Sequence, residues 1–262
     1  MNPETTKLSF KQNAVCLVIP TYNNGKTVAD VVRNALEYCE DIIVVNDGST
    51  DDPFEETHEC ASLQNNITVI NHPVNKGKGK ALITGFQAAM ERGFRYAVTM
   101  DADGQHYASD LPAFAEALAK HSDTLIVGSR QFGLPNMPQK SSFANKFSNF
   151  WFTVQTGKRL LDTQTGFRLY PLNKMGRMKL LSSRYEAELA LLVRSAWRGI
   201  NILPIPINVY YPPKEERVSH FRPGMDFFRI SVLNTFFTFA AILYGYPVML
   251  YHHIKNKLKT EN

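Results

Sequence analysis

Residues 96–106 read YAVTMDADGQH, a short apolar run that ends in two carboxylates one residue apart. In an extended chain alternate side chains share a face, so Asp101 and Asp103 can reach one ion. Gln105 continues that face and offers a third oxygen. Hard oxygen ligands of this kind suit Mg²⁺ or Mn²⁺. Because Asp and Gly also favour turns, an acidic turn without a metal is the alternative interpretation.

Apolar strands alternate with helical patterns through the first half of the chain. The predicted strands cover residues 14–19, 41–47, 67–70, 96–100 and 124–129. Strands that are apolar throughout, separated by helices, predict an α/β fold with a mostly parallel sheet flanked by helices. Such sheets bind ligands at the carboxyl ends of their strands, where Asp47 and Asp101 both fall. Thr27 is the predicted cap of the first helix.

The second half has a looser pattern. It predicts helices at 141–156, about 173–181 and 185–198, a strand at about 200–211, and an apolar stretch from Phe227 to Tyr251.

Composition narrows the class of protein. The chain has 262 residues, 44% hydrophobic and 20% charged, which excludes a disordered, collagen-like or disulfide-dense chain. The net charge is +5, and no dense basic patch interleaved with aromatics indicates nucleic-acid binding. Three separated cysteines without a CxxC pair, and an N-terminus without an apolar signal segment, predict a reduced, cytoplasmic protein.

Two further segments are candidates to face a nucleotide. Asp47, in NDGSTDD, can accept hydrogen bonds from a base or ribose, although residues 50–52 also suit a helix cap. The loop NKGKGK at 75–80 places small residues and lysines before a helix, an arrangement that favours anions. A solvated lysine turn is the alternative for the loop alone. With the acidic segment, these predict a nucleoside diphosphate site at one edge of the sheet.

Five segments carry a family resemblance: IPTYNNGKTV, VVNDGSTDD, NKGKGKAL, MDADGQH and TGFRLYP. Together, over residues 13–221, they resemble glycosyltransferase family 2 with its GT-A fold, nearest to the dolichol- and polyprenyl-phosphate sugar transferases. The resemblance implies an inverting transfer of a sugar from a nucleoside-diphosphate-sugar donor, with Mg²⁺ or Mn²⁺ as cofactor.

The resemblance also assigns roles on the donor side. It implies that Asp101 binds metal or ribose and that Asp103 and Gln105 hold the metal. Arg130, with Lys76, would neutralise the departing diphosphate. The residues implied to contact the base or ribose are Pro20, Thr21, Tyr22 and Asp47.

On the acceptor side, Arg168 matches an acceptor segment, with a structural salt bridge as its alternative. Glu186 and Glu188 match an acidic helix position, and helical spacing predicts that one works while the other is solvated. If the acceptor is a hydroxyl, one of these carboxylates must take its proton, whereas a phosphate monoester needs little base assistance.

The loop KEERVSH departs from the R-x-x-G-x-S-K pattern of the polyprenyl-phosphate enzymes. Lys214 aligns with the arginine of that pattern, and Arg217, Ser219 and His220 align with its glycine, serine and lysine. The last three are the predicted acceptor-binding residues, and the loop keeps positively charged side chains despite the departures from the pattern. The substitutions leave polyprenyl phosphate, a glycolipid or another lipid headgroup open as acceptor.

The chain is predicted to divide into a transferase domain, 1–221, and a C-terminal helical segment, 222–262. Ile230 to Tyr244 gives 15 residues before Gly245 and Pro247 interrupt the run, fewer than the ~20 of a membrane span. With flanking Arg and Lys residues, this favours a helix lying in the membrane surface; a span or plain packing is the alternative. Its predicted polar stripe is Ser231, Asn234, Thr235 and Thr238, opposite Phe236, Phe237 and Phe239.

These observations predict a metal-dependent glycosyltransferase that acts on a lipid-linked acceptor at the cytoplasmic membrane face. A non-catalytic nucleotide-binding or membrane-tethering module is the alternative from another class. A sugar-phosphate nucleotidyltransferase would carry a glycine-rich, basic loop after the first strand, where this chain has PTYNNG.

Overall fold

A computed structural model describes residues 1–51, 66–130, 139–176, 186–211 and 223–260. Its strands are β1 Val15–Thr21, β2 Ile42–Asn46, β3 Ile67–Asn71, β4 Tyr96–Thr99, β5 Leu125–Arg130, β6 Arg168–Pro171 and β7 Ile202–Ile207. Its α-helices are α1 Pro3–Gln12, α2 Gly25–Leu36, α3 Lys78–Glu91, α4 Leu111–Lys120, α5 Gln139–Thr156, α6 Leu172–Met175, α7 Glu186–Trp197, α8 Pro223–Ala240 and α9 Tyr246–Thr260.

The strands form one mixed sheet in the order β3-β2-β1-β4-β6-β5-β7. All pairs are parallel except those of β6, which runs antiparallel to both β4 and β5. The carboxyl ends of β1, β2, β4 and β5 therefore meet at one edge, together with the amino end of β6. This confirms the predicted mostly parallel α/β sheet.

Both faces of the sheet are covered, as the apolar strands predict. Along β1, Val15, Leu17 and Ile19 belong to the core shared with α1, α2 and α4. The alternate residues Cys16 and Val18 belong to the core shared with α3, α5 and α7. Because successive side chains of a strand point to opposite faces, β1 contributes to two hydrophobic cores, one on each face of the sheet.

Several elements differ from the sequence prediction. Helix α1 was missed because its sequence is polar: Asn2 caps it by accepting from the Thr5 amide, and Pro3 occupies its first turn. Strand β6 was missed because it is only four residues long. Asn24, not Thr27, precedes the first residue of α2; the Thr27 hydroxyl instead donates to the Ala102 carbonyl at 2.6 Å.

The predicted helix at about 173–181 is observed only as Leu172–Met175, and residues 177–185 lie outside the described part of the chain. The predicted strand at 200–211 is shorter, Ile202–Ile207, followed by a single bridge between Val209 and His106.

The C-terminal helix runs through Gly245 and Pro247, so the predicted interruption is wrong. A π-helical turn, Ala241–Gly245, joins α8 to α9. Pro247 follows this turn, and a π-helical turn is a common place for a helix to accommodate a proline that cannot make the i→i−4 bond. From Ile230 to Lys255 the helix has 26 residues and is long and apolar enough to cross a membrane by length and composition.

One face of this helix packs on the domain, and it combines a residue of the predicted polar stripe with a residue predicted to lie opposite that stripe. Leu233, Phe237 and Ala241 join the second core. Gly245 lies so close to the Trp197 indole that a Cβ would collide with it. Asn234, from the predicted polar stripe, is also buried and accepts a hydrogen bond from Gln155 at 3.1 Å.

The outer face of the helix is apolar and exposed. Its large exposed side chains are Val232, Phe236, Phe239, Ile242, Leu243, Tyr244, Tyr246, Leu250, Tyr251, Ile254 and Leu258. The Thr235 hydroxyl, also exposed, donates to the Ser231 carbonyl one turn earlier, which satisfies it within the helix.

Candidate active site

The acidic segment lies at the carboxyl edge of the sheet, directly after β4. Asp103 accepts a hydrogen bond from the Gln105 amide at 3.0 Å, and Gly104 takes a positive φ of 74°. The chain that leads into β6 passes close to Asp101 at Gly166, two residues before the strand. A Cβ on Gly166 would lie 2.6 Å from an Asp101 oxygen, so only glycine fits there. The Thr99 hydroxyl fixes this approach by donating to the Gly166 carbonyl at 2.6 Å.

Lys78 places a cation among the carboxylates of this edge. Its Nζ lies 2.7 Å from Asp101 Oδ1 and 3.2 Å from Glu188 Oε2. The three side chains come from the first turn of α3, the end of β4 and the first turn of α7. The sequence indicated all three lysines of this loop but assigned a role only to Lys76, because nothing in NKGKGK shows which lysine points inward.

The electrostatics follow from this arrangement. Burial disfavours an ionised Asp101, but Lys78 and His106 outweigh it and hold the pKa of Asp101 below its usual value. Burial raises the pKa of Glu188 despite Lys78. Asp103 exposes much of its surface, yet the surrounding protein and the neighbouring Asp101 charge raise its pKa to about 6. The two aspartates therefore repel each other, as ligands of a shared cation do before it binds.

Asp47 is buried under the lysine loop. Its carboxylate accepts from the amides of Lys76 at 2.9 Å and Gly77 at 2.6 Å, and contacts His72 Nδ1 at 2.7 Å. This carboxylate fixes the loop that leads into Lys78. The Lys76 side chain itself is exposed. Contact of Asp47 with a base or ribose remains a prediction, and only 2% of the residue is exposed for it.

Arg130 ends β5 and is held by a carboxylate that sequence reasoning missed. Asp162 takes the guanidinium in a two-pronged pair, with Nε at 2.6 Å and Nη2 at 2.9 Å. The Asp162 side chain is fully buried, and the Arg130 and Gln164 amides also donate to it. Such a fork fixes both the position and the plane of the guanidinium. The signal was present in DTQTGFR, where Asp162 stands four residues before Gly166.

Arg168 lies behind the site rather than in it. It is fully buried, and its guanidinium donates to the Glu188 carbonyl at 2.8 Å and the Thr163 carbonyl at 2.9 Å. The predicted acceptor contact therefore finds no exposed surface on this side chain. The geometry matches the structural alternative, although the partners are two main-chain carbonyls and the Tyr170 hydroxyl instead of a carboxylate. Arg168 ties α7 to β6 and so positions Glu188.

The predicted base-contacting residues follow β1. Pro20 and Thr21 are buried and Tyr22 is half-buried. Among the described residues the Thr21 hydroxyl has no hydrogen-bond partner. The loop after β2 is tied to this segment, since Asp51 accepts from the Gly25 amide at 2.8 Å. Asp51 thus stabilises the amino end of α2, whereas the residues that would follow the predicted cap at 50–52 lie outside the described part of the chain.

His106 and Gln105 complete the acidic loop. The Gln105 carbonyl accepts from the Tyr210 amide at 2.9 Å, which ties the loop to the segment after β7. His106 is buried, its ring centroid lies 5.1 Å from that of Phe167, and burial lowers its pKa to about 4. The imidazole is therefore neutral at pH 7. Within the described part of the chain, its Nδ1 has no hydrogen-bond partner.

Several predicted residues lie outside the described side chains. These are Glu186, Arg217, Ser219 and His220, and with them Lys214. The expectation that one of Glu186 and Glu188 works while the other is solvated stays a prediction, since only the Glu188 side chain is described.

The acidic loop fits a hard divalent cation as part of a complex. Asp101 and Asp103 supply carboxylate oxygens that repel each other, and Gln105, partly exposed beside them, carries an amide oxygen. In the described ranges no group of three or more His, Cys, Asp or Glu residues is arranged to hold a metal alone. A donor set of this size suits an ion that is also coordinated by phosphate oxygens.

Comparison with known proteins agrees with this chemistry. The family model described as "Glycosyl transferase family 2" matches residues 16–182. A UDP-N-acetylglucosamine–dolichyl-phosphate N-acetylglucosaminyltransferase of Methanococcus voltae is 33% identical over 215 residues, 75% of this chain and 86% of the relative. An undecaprenyl-phosphate mannosyltransferase of Micrococcus luteus is 28% identical over 74% of this chain and 82% of the relative.

Among solved structures, glucosyl-3-phosphoglycerate synthase of Mycobacterium tuberculosis in complex with UDP has a TM-score of 0.65. The match covers 92% of this chain and 84% of that one at 17% identity. The same synthase in complex with Mn²⁺, UDP and glucosyl-3-phosphoglycerate has a TM-score of 0.62. These likenesses confirm the predicted GT-A architecture. By its fold, its motifs and the extent of these matches, the chain belongs to glycosyltransferase family 2, among relatives named as dolichyl- and polyprenyl-phosphate sugar transferases.

Proposed function

We propose that the protein transfers a sugar, with inversion, from a nucleoside-diphosphate-sugar donor to a polyprenyl- or dolichyl-phosphate acceptor at the cytoplasmic face of a membrane. The observation that carries this proposal is the charged edge of the sheet, where Asp101, Asp103, Lys78 and Arg130 lie at the ends of neighbouring elements. The acceptor class is supported by the two relatives named above, which act on dolichyl and undecaprenyl phosphate.

The fixed charges of the edge suit the departure of a diphosphate. Arg130 is held rigid by Asp162, and Lys78 is held by two carboxylates, so neither cation needs to reorganise as charge develops. Asp101, Asp103 and Gln105 would hold Mg²⁺ or Mn²⁺. When bound, that ion supplies positive charge that stabilises the leaving diphosphate. The Mn²⁺ and UDP in the solved synthase support this assignment.

The environment of Glu188 favours a phosphate acceptor over a hydroxyl. Its carboxylate is buried and already paired with Lys78, so proton abstraction would have to break that pair. A phosphate monoester is already deprotonated at neutral pH and can attack without a base. Replacing Glu188 by Gln is therefore expected to change nucleotide binding at the donor site more than it changes the pH dependence of the transfer rate.

The outer face of the C-terminal helix supports attachment to the membrane surface. The helix is held along the domain by Phe237, Ala241 and Gly245, so it cannot leave the domain to cross a bilayer without exposing this face. Its opposite face is a continuous apolar strip, with exposed Lys255 and Lys257 near its end. An in-plane helix with basic residues beside it suits an anionic lipid surface.

The first experiment is calorimetric titration of UDP and GDP, with and without Mn²⁺, into the wild type and Asp103→Asn. Metal-dependent binding of one nucleotide, lost in the variant, is the expected result. Sugar transfer from the matching donor to a short polyprenyl phosphate then tests the acceptor. Folded protein that binds neither nucleotide would favour the non-catalytic module instead.

A further inference from the structure

The Lys78 ammonium contacts one of the two carboxylates that would hold a metal ion. Its Nζ is 2.7 Å from an oxygen of Asp101, the carboxylate that begins the acidic loop. If Asp101 and Asp103 held a divalent ion, that ion would share Asp101 with the ammonium, in a partly buried site where charges are weakly screened. The two cations therefore compete for one carboxylate.

Lys78 is held in this position from both sides. The loop before it is fixed by Asp47, which accepts from the amides of Lys76 and Gly77. Its second partner, Glu188, is positioned by Arg168, which donates to the Glu188 carbonyl. The side chains of Lys78 and Glu188 are only 21% and 9% exposed. Water therefore cannot easily replace the carboxylates as partners of the ammonium.

We propose that Lys78 makes metal binding depend on the presence of a bound nucleotide. This inference rests on the proposed function, which identifies the ligand as a nucleoside diphosphate. Without nucleotide, the ammonium neutralises Asp101 and repels a divalent cation. A nucleoside diphosphate brings negative charge that offsets both cations, so metal and nucleotide enter as a coupled pair. By linkage, the metal raises nucleotide affinity by the same factor.

The test measures Mn²⁺ binding by the free-Mn²⁺ electron paramagnetic resonance signal, first with no nucleotide present. Lys78→Gln removes the charge and keeps a hydrogen-bond donor for Asp101. Its Mn²⁺ affinity is expected to rise by ~10-fold or more, because a nearby like charge is removed. Lys80→Gln, at an exposed lysine two residues further along α3, is the matched control and is expected to bind Mn²⁺ as the wild type does.

Unchanged or weaker Mn²⁺ binding in folded Lys78→Gln would overturn the proposal and leave Lys78 as a structural ion pair. An equal rise in Lys80→Gln would also overturn it, since general surface charge would then explain the effect. If Lys78→Gln does not fold, the test is made on the wild type. Saturating UDP or GDP is then expected to raise its Mn²⁺ affinity by ~10-fold or more. Equal Mn²⁺ affinity with and without nucleotide would contradict the coupling. Because these readouts follow metal binding, a failure to transfer sugar is distinguishable from a failure of the coupling.

Discussion

The carboxyl edge of the sheet and the C-terminal helix expose opposite kinds of surface. At the edge, charged groups are paired and fixed: Lys78 with Asp101, and Arg130 with Asp162. On the helix, large apolar side chains such as Phe239 and Leu243 are exposed, 64% and 81% respectively. Unpaired apolar surface of this extent marks an interaction site, whereas prearranged charge marks a site for charged ligands. Under the proposed function, the charged edge would bind the donor and the apolar face would contact lipid.

The largest expected effect comes from removing the fixed charge of the edge. Arg130→Ala is expected to lower the rate of sugar transfer by ~10²–10³-fold, the usual loss when one preorganised donor is removed. Asp162→Asn leaves the guanidinium in place but loosens its fork, so a smaller loss, ~10-fold, is expected. Steady-state transfer assays with the donor identified by calorimetry measure both.

Lys158→Ala is a matched control, because that lysine lies after α5 and contacts the Ile200 carbonyl, away from the acidic loop. Activity retained by Arg130→Ala within a few-fold of the wild type would contradict the role of the edge in leaving-group stabilisation.

The two regions also differ in how far their structure could be predicted from sequence. Asp101 and Asp103 were recognisable because a buried strand runs directly into them. The roles of Lys78 and Asp162 were not, because they depend on ion pairs with residues distant in sequence. Asp101 stands 23 positions after Lys78, and Asp162 stands 32 positions after Arg130. Alternation of apolar residues predicts which face of a strand is buried, but it does not report which charged side chain turns inward from a loop.

On the helix, composition predicted an apolar segment but not its orientation. A polar stripe was expected to define one face, yet Asn234 lies in the buried face with Phe237. The buried amide of Gln155 provides its partner, and that residue stands 79 positions earlier in the chain. Pro247 was expected to break the helix, and the π-helical turn before it absorbs the break. Both outcomes depend on tertiary contacts that local patterns do not contain.

The next largest effect tests the helix alone. Phe239→Glu combined with Leu243→Glu is expected to lower partitioning onto anionic vesicles by ~10- to 100-fold. An in-plane helix buries its outer side chains only in part, so the two together contribute about 1.5–3 kcal/mol, roughly half the value for full burial. Vesicle sedimentation measures the bound fraction. Leu8→Glu is the control, because Leu8 is similarly exposed but lies on α1, on the other face of the sheet. Equal loss in the control, or none in the double variant, would show that the outer face is not the membrane surface.

Docking of the helix can be tested separately from membrane binding. Gly245→Val would force a side chain into the Trp197 indole, and overpacking of this kind typically costs about 1–3 kcal/mol. A lower midpoint of thermal unfolding is the expected result, with donor binding at the edge retained. Tyr246→Phe is a gentler probe, since it removes one hydrogen bond, from the Tyr246 hydroxyl to the Val154 carbonyl. An unchanged midpoint in Gly245→Val would mean that the helix is not held against Trp197 in solution.

The smallest expected effect concerns the charge repulsion that the edge retains without metal. In the metal-free protein the pKa of Asp103 is raised to about 6, above the value of ~3.9 for an unfolded chain. The folded state therefore holds more protons than the unfolded state between these values, and stability rises as the pH falls from about 6 to about 4. Asp103→Asn should accordingly stabilise the metal-free protein at pH 7, by less than ~1 kcal/mol because Asp103 is exposed and solvent screens its charge.

Urea unfolding with a chelator present, at pH 7 and pH 4, measures the difference in the free energy of unfolding between the variant and the wild type. A gain that persists at pH 4 would assign the stabilisation to something other than the Asp101–Asp103 repulsion. The charged edge would then not carry the unfavourable charge pair that distinguishes it from the apolar helix.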